Sequence, residues 1–336
     1  MTTTSGPAGA RSLDGGPAGL ADVADFSHRV AANVQRVLVG KPEVVRIALV
    51  TLLSEGHLLV EDVPGVGKTS LAKALARSID CSVSRIQFTP DLLPGDVTGV
   101  SIYNRQSMQF EFRPGPVFAN VVVADEINRA SPKTQSALLE CMAEHQVTVD
   151  GATYALAEPF MVVATQNPIE MDGTYPLPEA QRDRFTARVS VGYPDTVAEL
   201  AIVDEHSAAD PLATLRPVVD VQRVRAAIDA VRGVHVGQDV RQYCVDLVAA
   251  TRRLTELRLG ASPRATLHLV RAARAQAALS GRGFVVPDDV HAIAIPVLAH
   301  RLLLTSDAQA ARRSAADLVR ALLARLPAPT APGGGA

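Results

Sequence analysis

Up to about residue 195 the chain alternates compact apolar runs with helix-length stretches, and beyond about residue 215 the helical period takes over. Apolar runs at residues 57–62, 84–88, 121–125, 161–165 and 189–191 predict five strands. Short Val/Leu/Ile runs separated by helical segments suit a parallel sheet covered on both faces, because such strands are buried on both sides. Two hairpin signals interrupt the alternation. Residues 110–112 and 117–119 flank Arg113-Pro114-Gly115-Pro116, and residues 147–149 run into Asp150-Gly151, a dipeptide suited to the positive φ of a two-residue turn. From Pro217 onward the strand signal vanishes, and the predicted helices break at Gly233, Gly260, Gly281 to Gly283 and Pro287. The expected fold class is α/β, with a core over residues 21–212 and an all-helical second domain over residues 213–326. Residues 1–20 and 327–336, rich in small residues and proline, are expected to be unstructured tails.

Composition narrows the function classes. A chain of 336 residues suffices for about two domains and can bury ~75% of its extended surface, so it needs no disulfide or structural metal. Lys and Arg total 33 against 35 Asp and Glu, a net charge of −2 that leaves no footprint for nucleic acid or a membrane surface. Cys81, Cys141 and Cys244 are too widely spaced for a zinc site or a disulfide framework, and they point to a reducing, cytoplasmic setting. Glu55 and His57, and farther on His291, His300 and Arg301, cut the best apolar runs below the ~18 residues of a membrane span. The first residues have neither a basic start nor an apolar block, so no secretory signal is expected.

Five segments carry candidate chemistry. The first predicted strand leads into Pro64-Gly65-Val66-Gly67-Lys68-Thr69 and then into a helix. Glycines let backbone N–H groups approach a polyphosphate, the helix N-terminus adds a positive dipole, Lys68 adds a point charge, and Thr69 is placed to ligate Mg²⁺. With four lysines in the chain, a Gly-Lys-Ser/Thr match is expected by chance ~0.03 times, so the loop is read as functional. The general pattern wants a glycine where Asp62 stands, but the second half of the loop is intact. The third strand ends in Asp125-Glu126; acids at the carboxyl end of a buried strand face a cation or a catalytic water, giving Asp125 to Mg²⁺ and Glu126 to the attacking water. The fourth ends at Asn167, whose amide can reach a γ-phosphate if this strand lies between the first and third.

Two arginines complete the set. Arg184, just before the fifth strand, can reach a γ-phosphate on a neighbouring copy if copies form a ring, with Arg182 a competing candidate. The bland alternative for Arg184 is a surface ion pair with Asp183 or Glu179. In the second domain, Ser262 as N-cap and Pro263 at the first helical position fix Arg264 in the first turn, aimed at a phosphate or simply part of a basic face with Arg271 and Arg274.

Taken together, Pro64 to Thr69, Asp125-Glu126-Ile127-Asn128-Arg129-Ala130, Ala164 to Pro168, Pro178-Glu179-Ala180 with Asp183-Arg184-Phe185, and Ala261 to Ala265 closely resemble the MoxR family of AAA+ ATPases over nearly the whole chain outside the tails. The resemblance implies an ASCE P-loop core with a five-stranded parallel sheet of order 5-1-4-3-2, a C-terminal helical lid, and a homo-oligomeric ring whose family form is six-membered. It implies ATP held by Pro64, Gly65, Val66, Gly67, Lys68, Thr69 and Ser70, with Mg²⁺ held by Thr69 and Asp125. Asp125 and Glu126 resemble Walker B, Asn167 sensor 1, Arg184 the arginine finger and Arg264 sensor 2, while Gln87 resembles the polar residue that restrains the Walker B glutamate. Arg182 departs from the apolar residue often found at its position, and Asp62 is usual for the family. The hairpins resemble substrate-contacting insertions. Such proteins resemble chaperone-like remodellers of a protein client that work with a partner bearing a von Willebrand factor A domain.

Two other classes compete with that expectation. A nucleic-acid motor shares these motifs, but the net charge of −2 and the 8 Phe, 5 Tyr and no Trp give little for a strand to stack on. A scaffold that binds ATP without turnover has no need of Glu126, Asn167 and Arg184.

Overall fold

The computed structural model describes residues 19–63, 65–167, 174–194, 196, 199–200 and 211–329. Most of both expected tails therefore falls outside the described residues, as do Pro64 and residues 201–210, whereas the expected domain boundary between residues 212 and 213 lies in the described helix Pro211–Thr214. Five strands form one sheet: β1 (Leu58–Glu61), β2 (Val83–Gln87), β3 (Val121–Asp125), β4 (Met161–Gln166) and β5 (Ala187–Val189). Their order is β5-β1-β4-β3-β2, all neighbours parallel, with Leu58 opposite Val163 and Ala187, Val121 opposite Met161, and Val83 opposite Val121. The central strands β3 and β4 are buried along their whole length, as their unbroken apolar runs require.

Strand residues alternate between two apolar layers. Leu58, Val60, Val123, Met161, Val163 and Ala187 join α1 (Leu20–Gln35), α2 (Pro42–Leu53), α3 (Lys68–Ser78) and the C-terminal helices in one core. Leu59, Val122, Ala124, Val162 and Ala164 face the opposite way, against α4 (Pro132–Glu144), Phe88 and Phe185. The C-terminal region holds α5 (Val221–Arg232), α6 (Gln238–Thr251), α7 (Pro263–Leu279), α8 (Pro287–Leu298) and α9 (Ala315–Arg325). Helix α7 packs on α1 and α2, so the first core runs without a break from the sheet into these helices. Among the described residues no helix is long and apolar enough to cross a membrane.

Four expectations shift. The fifth strand runs over residues 187–189 rather than 189–191, because the Ser190 hydroxyl and Gly192 N–H turn away to the Asp62 carboxylate, at 2.7 and 2.6 Å. The first hairpin pairs Gly99–Asn104 with Gln109–Pro114, not residues 110–112 with 117–119. Pro116, just before residues 117–119, lacks the N–H a ladder needs, whereas the Asn104 side chain accepts from Gln106 N–H (2.8 Å) and builds the turn. The C-terminal region is not purely helical: Val219–Asp220 pairs with Ile79–Asp80, and Leu257–Leu259 with Leu303–Leu304. Ser262 precedes α7 but makes no side-chain cap bond, since its hydroxyl donates to Asp183 instead. The second hairpin forms as expected, Gln146–Val149 against Ala152–Ala155, with φ of 50° at Asp150 and 79° at Gly151.

His57, at the amino end of β1, is buried; Nε2 donates to Met142 O (3.0 Å) and Nδ1 accepts from Val162 N–H (3.0 Å). A proton on Nδ1 would set two donors against each other, and burial holds the pKa down at about 4. The unfolded chain takes that proton near 6.5, so between these values the unfolded state binds more protons and stability falls with falling pH. Lowering the pH from 7 to 5 is expected to remove about 2 kcal/mol through this residue. His57→Gln should flatten the urea-midpoint profile across that window.

Candidate active site

The carboxyl ends of β1, β3 and β4 meet at the start of α3. Gly65 and Gly67 have φ of 84° and 93°, the left-handed region that favours glycine. A Cβ at Gly65 would meet nothing within 4 Å, so that side of the loop stands open. Val66 lies in the turn, and Lys68, Thr69 and Ser70 form the first turn of α3, where backbone N–H groups lack helical partners. The Lys68 ammonium donates to Asp62 O, Val63 O (3.2 Å) and Gln166 O (3.4 Å), which holds a positive charge across the ends of β1 and β4.

Asp62 explains its own place in this loop. Its carboxylate accepts from Val63 N–H (2.8 Å), the Ser190 hydroxyl and Gly192 N–H, tying the loop to the end of β5. Burial works against the charge, but the bonds from Gly192, Ser190 and Val63 outweigh it and hold the carboxyl below the usual range.

The two adjacent acids sit in different environments. Asp125 is buried; Oδ1 accepts from the Thr69 hydroxyl (2.9 Å) and the Thr165 hydroxyl (3.2 Å), and Oδ2 from Arg85 Nε (2.7 Å). Glu126 stands at φ 57°, which swings its side chain out of the strand, and its N–H donates to Thr165 Oγ1 (3.0 Å). Its carboxylate accepts from Gln87 Nε2 (2.8 Å) and Arg129 Nη1 (3.1 Å). Gln87 thus contacts Glu126, and Arg85 bonds Gln87 Oε1 (2.8 Å) as well as Asp125, linking both acids through β2. Asn167 is buried at the end of β4, between β1 and β3, and its carbonyl accepts from Asn128 Nδ2 (3.4 Å).

Arg184 and Arg264 are not with this group. Arg184 precedes Thr186, whose N–H bonds His57 O (2.8 Å) at the amino end of β1. That end is roughly 15 Å from the phosphate-type loop, at ~3.3 Å per strand residue. There Arg184 and Arg264 line one cavity of about 230 Å³ together with Arg271, His268, His57 and Glu55. Arg184 bonds Leu139 O, while Asp183 pairs with Arg301 (2.9 Å) and Glu179 with Arg258 (3.7 Å), so the surface ion pair allowed for Arg184 does not form. Arg182 Nε is buried without a partner, and Arg182 does not line that cavity.

Burial pushes the Cys81 thiol up to about 11 and those of Cys141 and Cys244 up to about 12, so none is a thiolate nucleophile at neutral pH. Among the described residues no group of three or more His, Cys, Asp or Glu side chains gathers to hold a metal. Thr69 and Asp125 do offer two hard oxygens 2.9 Å apart, a set that fits Mg²⁺, which takes few protein ligands and completes its shell with phosphate and water.

Residues 57–187 match the ATPase family associated with various cellular activities (AAA), and residues 249–322 match the AAA lid domain. Chaperone MoxR1 of Mycobacterium tuberculosis (strain ATCC 25618 / H37Rv) is 45% identical over 306 residues, covering 88% of this chain and 80% of that protein. The chain belongs to the MoxR family of AAA+ ATPases. The uncharacterized YeaC of Bacillus subtilis (strain 168) is 48% identical over 301 residues, covering 90% of this chain and 94% of that protein. A crystal structure described as an ATPase candidate from Cytophaga hutchinsonii ATCC 33406 superposes with a TM-score of 0.84 at 37% identity, over 92% of this chain and 98% of its own.

Sequence patterning alone missed Arg85, Thr165 and Arg129, which hold the two acids of this MoxR-family site. Arg85 lies two residues before Gln87 and so on the same face of β2, a signal visible once β2 is placed beside β3. Thr165 and Arg129 stand out in the sequence only as parts of longer motifs.

Proposed function

We propose that this chain is a Mg²⁺-dependent ATPase that hydrolyses ATP at the seams of a ring of identical copies and uses the cycle to remodel a protein client. The observation that carries the reading is the separation of cations: Lys68 lies at one end of the sheet, and Arg184 and Arg264 share a cavity at the other. One molecule cannot bring both sets to one γ-phosphate, but two copies packed head to tail can. Such a heterologous contact closes into a ring, and six members is the family form we adopt.

In this reading the N–H groups of residues 65–70 and Lys68 grip the β- and γ-phosphates, and Thr69 and Asp125 hold Mg²⁺. The metal neutralises charge on the transferring phosphoryl group. Glu126 polarises the attacking water once Gln87 and Arg129 release it, and Asn167 positions that water. From the next copy, Arg184 and Arg264 stabilise the charge that develops in the transition state. Residues 213–326 act as a lid against the core of residues 21–212, and nucleotide state biases their arrangement. The hairpins at residues 99–114 and 146–155 contact the client. A von Willebrand factor A protein is the proposed partner and the cytoplasm the proposed site of action.

The test is the Mg²⁺-dependent ATPase rate with light scattering, with and without single-stranded DNA. Turnover by an assembled species, indifferent to DNA, supports the reading; strong DNA stimulation supports a motor; and no turnover at any concentration supports a scaffold. Lys68→Ala should weaken ATP binding roughly 10- to 100-fold, the worth of one charged hydrogen-bonding group, as read by calorimetry.

A further inference from the structure

Arg301 follows α8 and carries a guanidinium that is only 1% exposed. Burial lowers its pKa to about 10, with Asp183 opposing that fall, so it remains charged at neutral pH. A buried ion pair is a poor stabiliser, since well-packed apolar residues of similar volume do as well. Its acceptors suggest another use. Arg301 Nε donates to Asp183 Oδ1 (2.9 Å), and Nη2 donates to Asp183 O (3.2 Å) and Phe185 O (2.6 Å), the residues on either side of Arg184. Nη1 reaches Thr186 O (3.3 Å), and His300 Nε2 bonds the same Phe185 carbonyl (3.1 Å).

The same arginine holds the other cavity cation. Arg301 Nη2 donates to His268 Nδ1 (2.8 Å), one turn after Arg264 on α7. The Ser262 hydroxyl, two residues before Arg264, donates to the second oxygen of the Asp183 carboxylate (2.8 Å). Arg184 is thus bracketed by Asp183 and Phe185, and Arg264 by Ser262 and His268; Arg301 bonds Asp183, Phe185 and His268 directly and reaches Ser262 through the Asp183 carboxylate. Between the short helix Glu179–Arg182 and β5 the segment has no strand ladder of its own, and the carbonyls of Asp183, Phe185 and Thr186 are held by this guanidinium, with His300 sharing that of Phe185.

We propose that Arg301, through Asp183, is a positioning residue that locks Arg184 and Arg264 into one body, so that the C-terminal helices present both cations to the neighbouring copy together. The inference rests on the seam reading above. A shift of α7 and α8 then carries Arg184 with it, and loss of the latch leaves the finger present but misaimed. Misplacement of a catalytic group by ~1 Å costs on the order of 10²-fold in rate.

Asp183→Asn keeps the shape and removes the charge that Arg301 holds. It should lower kcat about 10- to 100-fold while the ATP dissociation constant stays unchanged, since the phosphate loop is at the other end of the sheet. Mixing separates aim from general damage. Asp183→Asn subunits should restore turnover to Lys68→Ala subunits by lending an intact phosphate loop, and should fail with Arg184→Ala subunits, which need a working finger. In the Arg184→Ala background, Asp183→Asn should add no further loss.

If Asp183→Asn does not assemble, Arg301→Lys and Ser262→Ala carry the same assay. Rescue of Arg184→Ala subunits by Asp183→Asn at the wild-type level would overturn the latch, as would weakened ATP binding or an additive loss in the double variant. Undiminished turnover by Arg184→Ala alone would instead overturn the seam reading on which the latch stands.

Discussion

Glu126→Gln should bind ATP with unchanged affinity, lose turnover by about 10²- to 10⁴-fold, and hold the ring assembled with ATP in place. The magnitude is that of removing a general base. In the proposed reading affinity is spared because the phosphate grip is assigned to Lys68 and the first turn of α3, whereas Glu126 stands at the end of β3, bonded to Gln87 and Arg129. Glutamine keeps the volume and accepts the same two bonds through its carbonyl oxygen. It cannot take a proton from water. Equilibrium binding of labelled ATP, phosphate release and light scattering on one preparation check all three expectations, and normal hydrolysis would remove Glu126 from the mechanism.

Gln87 supplies an internal control. In the structure its amide donates to the Glu126 carboxylate at 2.8 Å, which in the proposed reading restrains the base. Gln87→Ala should therefore raise the basal rate several-fold, or uncouple it from assembly, without changing ATP affinity. The direction is opposite to that of Glu126→Gln, so the pair separates control of the base from its chemistry.

Arg184→Ala should lower kcat by about 10³- to 10⁵-fold, the worth of an arginine finger, with nucleotide affinity intact. Arg264→Ala should act in the same direction, because both side chains line the one cavity. The sheet sets this outcome. Thr186 and His57 meet at the amino ends of β5 and β1, and the loop that carries Lys68 leaves the carboxyl end of β1. Arg184 cannot be supplied to its own γ-phosphate without dismantling the strand between them. A selective fall in kcat at saturating ATP, with the dissociation constant unmoved, is the expected signature of a group that acts in the transition state.

The parts of this account that were legible in sequence share a physical cause. Strands β1, β3 and β4 are buried on both faces, so their apolar runs leave little choice of element, and chemistry at their ends follows from parallel topology. Lys68, Thr69, Asp125 and Glu126 come together for that reason. Edge features were harder to read. β5 is three residues long, and its end is set by Asp62, a contact 128 residues away along the chain. The first hairpin is closed by an asparagine side chain, while the Pro-Gly-Pro that suggested a turn lies at the hairpin's base.

Contacts between elements were beyond local pattern altogether. Arg85 meets Asp125 only because β2 lies beside β3. Arg301 and His300 interrupt an apolar run, which sequence could use to exclude a membrane span but could not connect to Asp183, 118 residues earlier. Ser262 looked like a cap and serves as a tether. In each case the residue type signalled a polar group in an apolar setting, and its partner had to be supplied by the fold.

The central claim is that one copy supplies the phosphate loop and the next supplies the cations, and mixing Lys68→Ala with Arg184→Ala subunits tests it most directly. At an ATP concentration that fills the wild-type loop but not the Lys68→Ala loop, each variant alone should be inactive. Under conditions where labelled subunits are seen to exchange, a 1:1 mixture should regain turnover, since about one seam in four then pairs an intact loop with an intact finger. A mixture that exchanges subunits yet stays as inactive as its components would contradict the account.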